Sequence, residues 1–570
     1  MISQALPQHT QAEHQAPAGD LFSRWHFAAL FLVIFALFVL RRPDSLANPQ
    51  FWAEDGVLLF QGQLLRGSLA WIFEPYKGYL IVNTKLIAAF ATLFPVIYAP
   101  LIYNVAAILI ASIACSLFAM PWDRHLVRSD LLRTVVCLGV AGALYTESLV
   151  DNACNSQWYL ALIGFLILFR ASPPKEARWK ALIFGVVAGL VALTNPVMVI
   201  SIPICLWQLV TKRNRLVASV MLVGITVEIS FFLFYPSSPI TTPVRPGVLE
   251  LAIAVGIATV YKVVISSFFG WRTALAVSNA GSSLSFFFIS IAAAAWLMWL
   301  FACLKSAKRM QMGIALYLIA ASVALPMSGR GEFRAFLTPT HILQPRGEQY
   351  FFIAGCALLF LIALTIERVM RPSWKYVQSA AFILALAGGF YENFRVPPFY
   401  DFQWPKHAPA IEAWSKSSRL GSPAGVSVPI NPSSLFIRLP SLLRDITIAG
   451  FPDHVWARVM EGEGKPISIA PSFIHEAREL EYIDLPLVLG TNTTYRVNAV
   501  LQSDGSSVVS LLVHSRLNHG PRVETPPTSV LDDTRIGTEL RTDLSGRLCV
   551  HLRHISGAHA SFRSITLLHL

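Results

Sequence analysis

The sequence predicts a mainly α-helical protein, in which a polytopic transmembrane bundle of about eleven spans is followed by a small extracytoplasmic β-sandwich. Three observations support this fold class. The mean hydropathy is +0.55, with 54% hydrophobic and only 14% charged residues. Many uncharged runs approach the length that crosses a bilayer. After residue 390, short alternating apolar stretches replace the long runs.

The N-terminus begins with a polar segment, residues 1–20, which is rich in Gln, Ala and Pro and has little to bury. We expect a disordered cytoplasmic tail there. The apolar run that follows lacks a small-residue cleavage site before Arg41 and Arg42. It is therefore predicted to be a retained first span rather than a cleaved signal peptide.

The predicted membrane domain covers residues 21–395. Its candidate spans lie near residues 21–40, 98–119, 133–150, 157–169, 181–194, 197–210, 216–235, 285–304, 311–326, 350–366 and 377–390. Two further apolar runs, 80–97 with Lys85 and 251–270 with Lys262, are interpreted as interfacial or re-entrant helices. An alternative with thirteen spans, in which both runs cross, contradicts three of the basic loops.

The distribution of Lys and Arg predicts the topology. Basic clusters occupy loops 120–133, 170–180, 211–215, 305–309 and 367–375, and all five share one side if the N-terminus is cytoplasmic. The opposite turns, 151–157 and 195–196, carry no Lys or Arg. The net charge of +12 thus reflects topology and does not indicate a nucleic-acid partner. The predicted outer loops are 41–79, 236–284 and 327–349.

An odd number of spans places the C-terminal region outside the membrane. Residues 396–440 are predicted to be a linker. In residues 441–570, runs such as "YIDLPLVLG", "TYRVNAVLQ", "SVVSLLVH", "RLCVHLRH" and "SFRSITLLHL" are separated by turn signals. This pattern predicts a β-sandwich.

The first outer loop contains an acidic pair, Glu54 and Asp55, within "NPQFWAEDGVLLFQ". We expect a surface helix after Gly56 that ends near Gly67. Either the pair lies in the favourable field at the helix N-terminus, or it faces a cavity. In the second case one carboxylate accepts a proton from an attacking hydroxyl, while the other orients it or helps to bind a divalent cation such as Mg²⁺ or Mn²⁺.

Outer loop 327–349 is rich in cationic side chains. These residues, Arg330, Arg334, His341 and Arg346, precede Tyr350. Arginine suits bidentate contact with phosphate, so a lipid phosphate or pyrophosphate is the expected partner. The alternative is pairing with Glu332, Glu348 or lipid headgroups. If the first interpretation holds, the acidic pair and this loop share a cavity.

The segment "DNACNSQWYL", residues 151–160, places Asn155, Gln157 and Trp158 at the predicted outer mouth. Amides beside an indole can bind the hydroxyls of a sugar and stack on its face. Amides that cap the start of a helix explain the same pattern.

Together, "FWAEDG", "EPYKGYL", "NSQWYL" and "RGEQYFF" resemble the GT-C glycosyltransferases, polytopic membrane enzymes that take sugars from polyprenyl-phosphate carriers. The resemblance covers roughly residues 20 to 405 and includes a group of bacterial membrane proteins with a "WAEDG" motif. It implies inverting transfer at the outer face of the bacterial inner (plasma) membrane, with a periplasmic or extracellular C-terminal domain. The last 25 residues also resemble the final strands of carbohydrate-binding jelly rolls.

The resemblance also implies roles for individual residues. Asp55 or Glu54 is the base, with Asp55 preferred, and either could contribute to a metal site. Members of the family differ in their need for a metal. The residues implied in substrate binding are Arg346, Arg330, Arg334, His341, Tyr350, Lys77, Tyr79, Asn155, Gln157 and Trp158.

The predicted function is transfer of a sugar from a polyprenyl-phosphate-linked donor to a cell-envelope glycan, lipid or protein acceptor. The alternative is a transporter or flippase of polysaccharide or lipid-linked glycan, which predicts charged residues deep within spans and repeated halves. Only Glu147 and Glu228 lie within or near spans, and no internal repeat is evident. A scaffold that merely displays the C-terminal domain does not require so many spans.

Overall fold

The computed structural model describes residues 20–67, 69–170, 178–234, 247–279, 309–329, 347–368, 372–418, 426–432 and 435–439, together with the backbone of twelve strands beyond residue 440. The predicted tail, 1–20, lies outside this part of the chain except for its last residue. The predicted span 285–304 lies outside it entirely.

The described chain up to residue 418 is mostly helical. Its α-helices are α1 (Asp20–Arg41), α2 (Asp44–Ala47), α3 (Gln61–Arg66), α4 (Val82–Ala91), α5 (Ala99–Ser116), α6 (Asp130–Gly142), α7 (Ser156–Phe169), α8 (Arg178–Ala192), α9 (Ile202–Val210), α10 (Arg215–Phe234), α11 (Val248–Ala258), α12 (Ser266–Phe269), α13 (Trp271–Asn279), α14 (Arg309–Gly329), α15 (Phe352–Ile366), α16 (Pro372–Asn393) and α17 (Trp404–Ser418). Two π-helical turns, Asp55–Phe60 and Thr259–Ile265, precede α3 and α12.

Several of these helices can cross a membrane. Within the described ranges, four helical stretches are long and apolar enough: Val96–Ala119, Arg215–Phe234, Glu250–Phe269 and Glu348–Ile366. Six shorter apolar helices accompany them. The chain is therefore a mostly helical protein with membrane-spanning character, whereas the count of eleven spans stays a prediction.

The two ambiguous runs differ in structure. In residues 80–97, α4 ends at Ala91, and a separate 3₁₀ turn, Val96–Tyr98, leads into α5. This run therefore lacks a single helix of spanning length. Residues 251–270 instead form an almost continuous helical stretch that is long enough to cross. Its placement as an interfacial or re-entrant helix stays a prediction.

The helices of the bundle pack closely where small residues meet. A Cβ at Gly224 of α10 would lie 2.5 Å from the Cβ of Ala192 in α8. A Cβ at Gly164 of α7 would lie 2.8 Å from Val191 Cγ1. Glycine at such positions lets two helix backbones approach each other, which is the usual packing device of membrane helices.

A second apolar cluster joins the first loop to residues 404–439. Phe51 packs edge-to-face on Trp404 with ring centroids 4.9 Å apart, and on Tyr103 at 5.1 Å. Strands β1 (Val426–Ile430) and β2 (Leu435–Leu439) form an antiparallel hairpin that adds buried Ile430 and Ile437 to this cluster. Described parts of the predicted linker 396–440 therefore pack against the first loop, because their aromatic and β-branched side chains complete this apolar cluster. The division into a linker and a following domain stays a prediction.

The remaining strands are β3 (Asp445–Ala449), β4 (Arg458–Glu461), β5 (Pro466–Ser468), β6 (Ile474–Ala477), β7 (Leu480–Leu489), β8 (Thr493–Ser503), β9 (Ser507–Ser515), β10 (Arg522–Glu524), β11 (Thr528–Val530), β12 (Thr534–Thr542), β13 (Gly546–Gly557) and β14 (Ala560–His569). They form two antiparallel sheets, with strand orders β10-β9-β13-β7-β6, where β11 also pairs with β9, and β12-β8-β14-β3-β4-β5. The five runs quoted from the sequence lie in strands, apart from the end residues Gly490 and Leu570, which are outside the described residues. Face-to-face packing of these sheets as a sandwich stays a prediction.

Candidate functional site

Asp55 begins the π-helical turn in the first loop, and its side chain is 0% exposed. The backbone N–H of Ala153 donates to Asp55 Oδ2 at 2.8 Å, and that of Cys154 donates to Oδ1 at 2.7 Å. Both oxygens are thus held by the segment that leads into α7. The carboxyl group does not cap its own helix, and it does not point into open solvent.

The backbone before the acidic pair turns sharply. Ala53 adopts a left-handed conformation with φ of +38°, which is uncommon for a residue other than glycine. The N–H of Asp55 then donates to the carbonyl of Trp52 at 2.8 Å. This turn directs Asp55 into the interior, while Glu54 is half-buried and makes no capping hydrogen bond through its side chain.

Burial controls the ionisation of the site. Loss of hydration raises the pKa of Asp55 to about 8, although the two backbone hydrogen bonds lower it. The charge of Glu54 adds a smaller increase to this pKa. A carboxyl with a pKa of about 8 is mostly protonated at neutral pH.

The thiol of Cys154 lies in the same electrostatic neighbourhood. Burial raises the pKa of Cys154 most, the charges of Glu54 and Asp55 raise it further, and Lys77 lowers it. Glu54, Asp55 and Lys77 therefore all act on this one thiol, which belongs to a segment about 100 residues further along the chain than the acidic pair.

Lys77 lies at the tip of a tight turn. The N–H of Tyr79 donates to the carbonyl of Tyr76 at 3.1 Å, and Lys77 and Gly78 have positive φ of 50° and 84°. This geometry fits a type I′ turn. The Lys77 ammonium lies 5.1 Å from the centre of the Tyr76 ring and is exposed. The turn thus presents an exposed cation between two tyrosines, and this cation lowers the pKa of the Cys154 thiol.

Some of the predicted sugar-binding amides serve the local fold. Asn155 donates its backbone N–H to Asn152 Oδ1 at 2.9 Å and its side-chain amide to the carbonyl of Ser148 at 2.7 Å. These contacts favour the interpretation of Asn155 as a turn-stabilising residue. Gln157 is buried at the start of α7.

Trp158 and Tyr350 come from distant segments and contact each other, with an edge-to-face ring distance of 5.4 Å. Just before Tyr350, Glu348 Oε1 accepts the backbone N–H of Ser148 at 2.9 Å. The hydroxyl of Ser148 donates to Gln349 Oε1 at 3.1 Å. The end of loop 327–349 is therefore joined to the loop whose Ala153 and Cys154 hold Asp55.

The cationic residues Arg330, Arg334, His341 and Arg346 lie outside the described residues. The cavity that they and the acidic pair are predicted to share thus stays a prediction. A small cavity of about 10 Å³, with room for about one water, does lie at the end of this loop between Tyr145, Lys262 and Glu348. A larger apolar cavity of about 60 Å³ lies inside the bundle beside Cys115, Cys137 and Cys356, and offers no polar chemistry.

The acidic pair does not fit a metal site on the described residues. Both oxygens of Asp55 already accept backbone hydrogen bonds. No group of three or more His, Cys, Asp or Glu side chains comes together in the described part of the chain.

Two structural partners of the site were not predicted from the sequence. Asn431, in the β1–β2 turn, bonds to the backbone of Phe51 and Ala53. Glu228 of α10 accepts the N–H of Leu80 at 2.9 Å and so fixes the end of the first loop. The "INPSS" sequence around Asn431 is a turn signal, but it does not reveal what the turn contacts.

Comparison with known proteins identifies no relative whose role could be assigned to this chain. No protein-family model, curated protein or solved structure matches this chain.

Proposed function

We propose that this chain is a membrane glycosyltransferase, which moves a sugar from a polyprenyl-phosphate carrier to a cell-envelope glycan, lipid or protein acceptor. The observation that supports it best is the acidic pair, where a fully buried Asp55 is anchored to the α7 entry and Glu54 is half-exposed beside it. Sugar transfer to a hydroxyl requires a base at the acceptor and a cation at the departing phosphate.

The two carboxyl groups have different roles in this proposal. Asp55, with a pKa of about 8, is mostly protonated at neutral pH, and both of its buried oxygens accept backbone N–H groups. Glu54 is the group that a substrate can reach, so we assign the base to Glu54. Asp55 then anchors the turn that carries Glu54. This reverses the preference for Asp55 that the sequence pattern suggested.

The departing phosphate requires positive charge. Lys77 is exposed on its turn within the electrostatic neighbourhood of the pair. Arg346, with Arg330, Arg334 and His341, is proposed to supply the remaining charge, since arginine suits phosphate oxygens. The topology proposed with this function has eleven spans, a cytoplasmic N-terminus and an extracytoplasmic β-sandwich.

A transporter of lipid-linked glycan is the second candidate, and Glu228 is the observation that favours it. A carboxyl that is buried in a helix able to cross a membrane is often functional. Here, however, Glu228 Oε2 accepts the N–H of Leu80, which is a sufficient structural reason for its presence. The two candidates differ in a simple way, because a transferase works in detergent without compartments and a transporter requires sealed vesicles.

The experiment uses purified full-length protein with radiolabelled polyprenyl-phosphate sugars and an envelope-lipid extract as acceptor, with and without a chelator. Replacement Glu54→Gln is expected to lower the transfer rate by about 10²–10⁴-fold. Glu412→Gln, at a half-exposed residue paired with Lys416, is the matched control and should retain activity. Normal transfer by a folded Glu54→Gln protein would refute the assignment of the base. Transport in vesicles without transfer in detergent would favour the second candidate.

A further inference from the structure

Asn431 contacts the backbone that leads directly into the acidic pair. Its N–H donates to the carbonyl of Phe51 at 3.2 Å, and its carbonyl accepts the N–H of Ala53 at 2.5 Å. The two segments run parallel, with Trp52 opposite Asn431. Asn431 therefore holds the backbone of the three residues that precede Glu54 by hydrogen bonds at their first and last members. It lies almost 380 residues further along the chain.

The side chain of Asn431 holds the residue itself in place. Its Oδ1 accepts the N–H of Tyr400 at 2.8 Å, and its Nδ2 donates to the carbonyl of Tyr400 at 2.9 Å. The residue is only 4% exposed. A short side chain that carries both a donor and an acceptor is required for this pair of bonds, and asparagine supplies it.

The contact falls where the first loop is strained. Ala53 has φ of +38°, and such a conformation persists only when its surroundings impose it. The hydrogen bond from Ala53 to Asn431 is one such restraint. The neighbouring Ile430 adds another, since a Cβ on Gly56 would lie only 2.6 Å from Ile430 Cδ1.

We propose that Asn431 is a positioning residue for the acidic pair: through Phe51 and Ala53 it holds the turn that places Asp55 against the amides of Ala153 and Cys154. The β1–β2 hairpin is thus part of the site. The positioning itself is independent of the reaction, and its effect on sugar transfer rests on the proposed function.

The rate at which Cys154 undergoes thiol–disulfide exchange with a small aromatic disulfide reports on this positioning without any substrate. Cys154 is buried in the same apolar cluster as Phe51 and Ile430, whereas Cys137 belongs to the cluster of the main bundle. Each thiol can be followed by mass spectrometry of its peptide after treatment of the full-length protein with 4,4′-dithiodipyridine, which reacts with thiols in acid as well as at neutral pH.

In Asn431→Ala, reaction at Cys154 is expected to accelerate about tenfold, an increase that corresponds to about 1.4 kcal/mol, while Cys137 keeps its wild-type rate. Asn214→Ala is the matched control, because Asn214 is also buried and its side-chain amide donates to the carbonyl of Ile167. This control should leave Cys154 unchanged. An unchanged Cys154 rate in Asn431→Ala, or equal acceleration at Cys137, would overturn the proposal.

The conservative variant Asn431→Asp tests the side-chain hydrogen bonds directly. It also provides the test if Asn431→Ala does not fold. In Asn431→Asp, a protonated carboxyl can donate to Tyr400, while the ionised form places a negative oxygen against that carbonyl. Because residue 431 is only 4% exposed, burial raises the pKa of an aspartate there above the ordinary value of about 3.9. The ratio of its Cys154 rate to that of wild type should therefore be about ten at pH 8 and fall towards one at pH 5. A ratio that is the same at both pH values contradicts the proposal.

Measurement of sugar transfer by the same variant distinguishes the positioning role of Asn431 from the proposed function. If the chain transfers sugar, Asn431→Ala should lower kcat more than it raises KM, because it displaces the base rather than the donor site. If no transfer is found with wild type, the proposed function fails, and the thiol measurement still decides the role of Asn431.

Discussion

Replacement of Asp55 by asparagine tests how the acidic pair is held. In wild type both carboxyl oxygens accept a backbone N–H, from Ala153 and Cys154. Asparagine has one oxygen and one amide group, so one of these buried N–H groups loses its acceptor and faces another donor. At pH 6 the variant should be less stable than wild type by about 1–3 kcal/mol.

This difference should depend on pH in a defined direction. The folded-state pKa of Asp55 is raised to about 8, whereas an unfolded aspartate has a pKa of about 3.9. The folded state therefore holds this proton more tightly, and this contribution to stability is lost as pH rises through the folded pKa. Between pH 6 and 8 the wild type should lose about 2 kcal/mol through this group.

Asp55→Asn has no such proton, so the stability gap between the variant and wild type should shrink from pH 6 to pH 8 and level off above that. The assay is unfolding in detergent micelles, followed by intrinsic fluorescence from pH 5.5 to 9. Other carboxyls contribute equally to both proteins and cancel in the difference. Glu412→Gln, at a half-exposed position, should show a small gap that is constant with pH. A constant or widening gap for Asp55→Asn would refute the picture of a buried, protonated carboxyl.

Further variants test packing and buried polar contacts by the same unfolding measurement. Gly142→Ala should cost about 1–3 kcal/mol, since the new Cβ would lie 2.0 Å from the Phe390 ring; wild-type stability would contradict this packing. Asn393→Ala should cost about 3 kcal/mol because it removes three side-chain hydrogen bonds, and a loss below 1 kcal/mol would argue against them. Arg170→Ala leaves Asp123 without its closest cation, and burial raises the pKa of Asp123 to about 7. The cost should thus be larger at pH 8, up to about 3–5 kcal/mol, than at pH 6; equal costs would exclude the ion pair.

The helices were predictable where hydropathy alone decides. The apolar run 157–169 corresponds to Ser156–Phe169, and 216–235 to Arg215–Phe234. The end of the first-loop helix was also predictable, because Gly67 adopts the left-handed conformation with φ of +55° that terminates many helices. These features depend on residues that are close in sequence, so the sequence pattern is sufficient.

The environment of Asp55 could not be predicted from the sequence. Its partners are the backbone amides of Ala153 and Cys154, and almost every residue type carries such a group. The hydrogen bonds of Asn431 with Phe51 and Ala53 are likewise made by backbone atoms. Contacts of this kind follow from tertiary packing, so a pattern of side chains shows which residues are unusual but not which amides they meet.

The arginine pair at the end of α1 illustrates the same difference for topology. Arg41 and Arg42 follow the first predicted span, on the side where basic residues are disfavoured if the N-terminus is cytoplasmic. Both are almost fully buried. Arg41 donates to the carbonyls of Ala141, Asn393 and Phe394, at 2.5 to 3.1 Å.

Arg42 donates to the carbonyls of Val150 and Pro397 and lies 4.0 Å from the centre of the Phe399 ring. Burial lowers the pKa of Arg42 to about 10, so it remains charged at neutral pH, and its charge is stabilised by carbonyl oxygens and by Asp151. The rule that basic residues stay inside concerns the exposed charge of short loops. Arginines that are bound in this way connect α1 to α6, the α7 entry and the chain after α16, so they are explained by structure and do not weigh against a cytoplasmic N-terminus.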